Sequence, residues 1–190
     1  MKENKVMNIE LQKHLISLAT EDQKLIEKLS KSGGLANYKD EVHPELKVVF
    51  KRNTQKAKEV IKKYGWPTLS LVGEKGSEAM YHIVQHSVLD EAFMQACVPL
   101  LAEQVKNKEA KGSQLAFLQD RTLMQKNKPQ LYGTQHIEDE NGKIVPYKIH
   151  NPKEVDKRRL DLGLEPLKER TAFLQRNHDQ ILRANKGSKN

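Results

Sequence analysis

A chain of 190 residues with 37% hydrophobic content is long enough for one sizeable core and short for two, so a single domain over residues 1–184 with a disordered basic tail at 185–190 is expected. No apolar run is long enough to span a bilayer, and the opening Met1-Lys-Glu-Asn-Lys-Val-Met-Asn8 lacks the apolar stretch of a signal peptide. No membrane partner is therefore expected, and the expected location is the cytoplasm, with export by a signal-less route as the alternative.

The first predicted element is a helix from about Asn8 to Leu29, with apolar residues at Leu11, Leu15, Leu18, Leu25 and Leu29 and an acidic gap at Asp22. Lys31-Ser-Gly-Gly34 ends it, and residues 35–47, with Pro44, read as a loop. A second helix is expected from near Val48 to Tyr64, closed by Gly65. Trp66-Pro67 opens a connector through Ser70-Leu-Val-Gly73. A third helix is expected from Gly76 or Ser77 to Val88, and a fourth from Asp90 to Lys106, kinked or broken at Pro99. The fifth starts with Ser113 as its N-cap and runs to about Lys126. The period then changes: residues 131–137 and 143–149 flank Glu140-Asn-Gly-Lys143, and Asn-Gly there predicts a hairpin. A two-residue turn would set His136 opposite Tyr147 and put Tyr132, Thr134 and His136 on one face. Two further helices are expected, from Asn151-Pro152 to Leu162 and from Glu165 to about Ala184. The fold class is mainly α, with one β-hairpin at about 131–149 packed across the helix that carries Asp120 and Arg121.

The net charge of +8 divides as +5, −2 and +5 over residues 1–65, 66–156 and 157–190. Nucleic-acid binders set a basic stripe beside interleaved aromatics. Here the middle is slightly acidic and aromatics make up only 5%, so nucleic acid is a disfavoured partner and the lysines read as solvated helix surface. Cys97, the only cysteine, excludes an internal disulfide and a thiolate zinc cage, and its apolar setting in Phe93-Met-Gln-Ala-Cys-Val98 reads as structural.

Two carboxylates stand out. Leu18, Ala19, Leu25 and Ile26 surround Asp22 one helical turn away, and Ala116, Phe117, Leu123 and Met124 surround Asp120 in the same way. A carboxylate on an apolar face must protonate or find a partner, so each marks either an internal salt bridge or cap, or a site of acid-base chemistry. Arg121 points away from Asp120 on the same helix and suits an anionic ligand. His82 and His86 share one helix face at i, i+4. The intervening glutamate of zinc proteases is missing, and a third ligand would have to come from Asp22, Asp120 or His136, so no metal is expected. Ser70 through Gly76 lacks the ending of a phosphate-binding loop, and no serine sits in a nucleophile elbow.

In Leu131-Tyr-Gly-Thr-Gln135, ten residues after Leu118-Gln-Asp-Arg121, Gly133 permits close backbone approach and Gln135 offers a donor and an acceptor; the alternative is a packed strand with a bulge. These motifs, with Asp22-Gln23, Asn53-Thr54, Gly65-Trp-Pro67, Gln85-His86, Val155-Asp-Lys-Arg-Arg159 and Leu162-Gly-Leu164, make the chain resemble a bacterial family, DUF6624, over roughly residues 10–170. It departs from that pattern at Thr68, where a glycine is expected, and at His82, where an apolar residue is. The resemblance therefore implies His86, rather than His82, as the working histidine, and implies no reaction.

The leading expectation is a small hydrolase or group-transfer enzyme with a pocket lined by Asp22, Gln23, Gln85, His86, Asp120, Arg121, Tyr132 and Gln135. Asp120 or His86, with Asp22, would be acid or base; Arg121 would hold a small anionic ligand; Gln135 and Tyr132 would orient it. No cofactor is assigned. The rival is a non-catalytic interaction module in which the same polar groups fix helix packing and the basic ends bind an acidic partner or nucleic acid.

Overall fold

Asn8 accepts the backbone N–H of Leu11 at 2.9 Å and so starts α1, Ile9–Lys31, whose periodic apolar positions bury Leu11, Leu15, Ala19 and Leu29. The computed structural model describes residues 7–34 and 41–187; part of the expected 35–47 loop and the last three residues of the expected tail lie outside the described residues. The chain divides into two units, the first ending at Ala110 and the second beginning at Lys111.

In the first unit, α2 spans Pro44–Tyr64, four residues longer at its start than the apolar pattern suggests, because Pro44 sits in the first turn, where a missing N–H costs nothing. Gly65, at φ +70°, closes it as expected. The connector after Trp66-Pro67 is already helical. Thr68 caps α3, Leu69–Gln85, and Gly73 interrupts it at φ +65°, ψ 176°, so the expected start near Gly76 is the second half of a broken helix. α4, Glu91–Lys106, begins at the Asp90 cap and continues through Pro99. α3 packs against each of the other three and contributes Val72, Met80, Ile83 and Val84 to the interior. Cys97 is buried on α4, and desolvation pushes its thiol up to about 12, which suits a structural residue.

In the second unit, α5 spans Gly112–Gln125. Its first residue approaches Leu162 so closely that a Cβ at Gly112 would lie 2.7 Å from the Leu162 carbonyl oxygen. The hairpin is β1, His136–Glu138, against β2, Ile144–Pro146, antiparallel. Its register differs from expectation by one: His136 pairs with Pro146, not Tyr147. The turn is longer than Asn-Gly alone. Asp139 accepts the N–H groups of Asn141 and Lys143 on its side chain, Gly142 N–H donates to the Asp139 carbonyl, and Gly142 takes φ +75°, the left-handed position that ends a three-residue loop. A 3₁₀ turn at Pro152–Glu154 leads into α6, Val155–Asp161; Gly163 ends it, and α7 runs Leu167–Gly187. β2 packs on α7, where Gln175 accepts the Ile144 N–H at 2.8 Å, so it is the segment before the hairpin that meets α5. The described residues are mainly α with one hairpin, and no described helix is long and apolar enough to cross a membrane.

Candidate functional site

Asp22 and His86, 64 residues apart, meet in the first unit. The wholly buried Asp22 carboxylate places Oδ2 2.9 Å from His86 Nδ1. The imidazole follows the last residue of α3, where it remains 19% exposed, and it stacks on Phe50 of α2 with ring centroids 5.1 Å apart and planes inclined by 23°. Phe50 carried no polar signal and was not foreseen as part of the site. Asp22 Oδ1 is buried without a hydrogen-bond partner among the described residues. Asn53, Thr54, Gln85 and Gln23 are motif residues of the same unit. Asn53 Nδ2 donates to the Leu18 carbonyl one turn before Asp22, and the Thr54 and Ser87 hydroxyls are 2.9 Å apart, tying α2 to the end of α3. Gln85 is buried and donates to the Tyr81 hydroxyl at 2.7 Å, while Gln23 is exposed on the rim of a cleft between α1 and α3. His82 lines that cleft, its ring centroid 6.5 Å from that of His86, and burial, with His86 nearby, holds its imidazole below the ordinary range.

Asp120, Arg121, Tyr132 and Gln135 belong to the second unit. Asp120 is wholly buried, and residues 131–134 fold around its carboxylate. Oδ1 accepts the Leu131 N–H at 2.7 Å and the Tyr132 N–H at 3.1 Å; Oδ2 accepts the Thr134 N–H at 2.9 Å and the Thr134 hydroxyl at 3.0 Å. Burial pushes the Asp120 carboxyl up, and these four donors oppose that shift by favouring the charged acceptor. The carbonyls of the same segment point the other way, to two guanidinium groups from α6. Arg158 donates to Leu131 O at 2.7 Å, and Arg159, 1% exposed, donates to Tyr132 O at 2.7 Å and Glu165 O at 2.6 Å. Gln130, fully buried, closes the far end by accepting the Gln135 N–H and donating to the carbonyls of Gln135 and Tyr147. Gln135 itself donates to Thr134 Oγ1 at 3.1 Å.

The segment is therefore a locked loop rather than a strand. Gly133, at φ +67°, makes the bend, and a Cβ there would lie 2.7 Å from the Leu167 side chain. Arg158, Arg159 and Gln130 as loop anchors escaped the sequence reading. A signal was present for Arg159, since it follows Val155 by four residues and so shares the buried stripe of α6.

His136, at the start of β1, reaches Thr171 on α7 at 3.0 Å. Burial holds its imidazole below the ordinary range, and Arg170 and Arg159 push the same way. The folded state thus binds this proton less readily than the unfolded chain. Its stabilising contribution is complete above the unfolded histidine pKa of about 6.5 and is lost as pH falls through the folded value. Urea unfolding between pH 8 and 5 should show stability declining on the acid side, with a shallower decline in His136→Gln, which keeps the contact to Thr171; an unchanged slope would show that His136 is not the group responsible.

Among the described residues, no three His, Cys, Asp or Glu side chains gather in a way that could hold a metal ion, so His82 and His86 have no third ligand there. Neither a curated protein nor a solved structure matches the chain. The family described as "Family of unknown function (DUF6624)" matches residues 9–181, spanning both units and every motif residue placed above. The chain belongs to the DUF6624 family.

Proposed function

We propose that the protein is an acid-base catalyst of hydrolysis or group transfer, with His86 as the proton-transferring group and Asp22 as the residue that orients it. The observation that carries this reading is the 2.9 Å contact between a fully buried carboxylate and one nitrogen of a partly exposed imidazole. In this reading Asp22 accepts from Nδ1–H, which leaves Nε2 to present its lone pair. A water or hydroxyl approaching Nε2 would lose its proton there. The imidazolium formed would be stabilised at Nδ1–H by Asp22, and the proton would return to the leaving group. Asp120 has a structural part in this reading, because its oxygens are already occupied by residues 131–134.

Long-range proton–nitrogen correlation spectra test the assignment without a known substrate. Near pH 8, His86 should be the Nδ1–H tautomer in the wild type and lose that preference in Asp22→Asn; a dominant Nε2–H tautomer in the wild type would remove the base from the mechanism. On any chromogenic ester, phosphate or glycoside that the wild type turns over, His86→Gln should cost at least about 100-fold. The hydrogen bonds around Asp120 and Arg159 support one part of the rival reading for the second unit, a polar network that fixes packing.

A further inference from the structure

The cleft between α1 and α3 has a volume of about 320 Å³, at the small end of ligand pockets. Ile16, Ala19 and Ala79 give it an apolar floor, and charged groups stand at its rim. Their pairing is uneven. Glu27 is bridged to Lys31 at 2.6 Å, and that ammonium holds its carboxyl below the usual range. Glu78 lies 3.9 Å from His82. Lys24 and Lys75, one from each helix, have no ion pair or hydrogen bond among the described residues, although both line the cleft. Gln23 adds an amide on the same rim.

We propose that this cleft binds a small organic anion, with its apolar body on Ile16, Ala19 and Ala79 and its phosphate or carboxylate between Lys24 and Lys75. The inference goes beyond the acid-base reading, since the cleft would bind this ligand whether or not His86 moves a proton. A cation would meet two ammonium groups with only Glu78 not bridged to a lysine. A neutral molecule would leave both lysines unsatisfied but solvated, and so would gain only from the floor. An anion with an apolar body gains from both. Gln23 and His82, whose imidazole is held toward its neutral form, can then donate to the remaining oxygens.

The test is an amide-resolved NMR titration of the full chain with phenyl phosphate, inorganic phosphate, benzyl alcohol and phenethylamine. Phenyl phosphate should give saturable shifts confined to residues 16–27 and 75–82 and bind at least about tenfold tighter than any of the other three, a difference of 1.4 kcal/mol. The double variant Lys24→Gln/Lys75→Gln, altered only at exposed side chains, should weaken that binding at least tenfold while its spectrum stays folded. His86→Gln should leave it within twofold, which separates loss of the anion site from loss of the acid-base pair. Phenethylamine or benzyl alcohol binding as tightly as phenyl phosphate, an unaffected double variant, shifts centred elsewhere, or no saturable shift with phenyl phosphate would each overturn the proposal.

Discussion

Asp120→Ala should unfold the second unit at a denaturant concentration far below that of the wild type, with a loss of about 4 kcal/mol, the cost of leaving several buried donors without an acceptor. The substitution strips the partner from three backbone N–H groups and the Thr134 hydroxyl in one step. Asp120→Asn separates charge from shape. Its carbonyl can accept from one side of the loop, but its NH₂ then faces N–H donors on the other, so a loss of about 2–3 kcal/mol is expected. Chemical denaturation followed by signals of residues 111–187 reads both. A loss under 1 kcal/mol for the alanine variant would mean that the loop does not depend on the carboxylate, and would reopen Asp120 as an acid-base residue.

The second large effect lies on the opposite side of the same loop. Arg159→Met should cost about 3 kcal/mol, because the carbonyls of Tyr132 and Glu165 lose charge-assisted donors in a buried setting. Arg159→Lys should recover only part of this, since a single ammonium cannot reproduce the planar fork that serves both carbonyls. Asp120 and Arg159 share no direct contact in this scheme; the loop joins them, its N–H groups facing one and its carbonyls the other. The double variant should therefore fall short of the sum of the singles by about 0.5–3 kcal/mol, the coupling of residues in one hydrogen-bond network. Additive losses would show two independent anchors.

Much of the architecture was legible in the sequence, because 3.6-residue periodicity and terminators such as Gly65 are local signals. The hairpin was legible from Asn141-Gly142, but its register was not. Asp139 takes a share in the turn through its side chain, and a one-residue difference in loop length shifts every pair. At the site, the sequence showed that Asp22 and Asp120 sit on apolar faces and need partners. It could not show that one would meet an imidazole and the other a set of backbone amides. That difference is made by tertiary packing over separations of 64 residues in one case and 11–14 in the other, and residue identity is silent about backbone donors. The stacking of Phe50 on His86 was hidden for a similar reason, since an aromatic on a buried helix face looks like ordinary core.

The pieces joined by the 131–134 loop are each too small to persist alone. Three-residue strands and a seven-residue helix have no independent stability in water, because the entropy of fixing them exceeds what their few internal hydrogen bonds return. The bonds from α5 and α6 to the loop close chain segments of 11–14 and 27 residues, and neither closure is favourable until the loop has taken the bent form that both require. The hairpin, the short helix and the loop thus order together or not at all. In the second unit, a signature that reads as a string of separated polar motifs records one cooperative event.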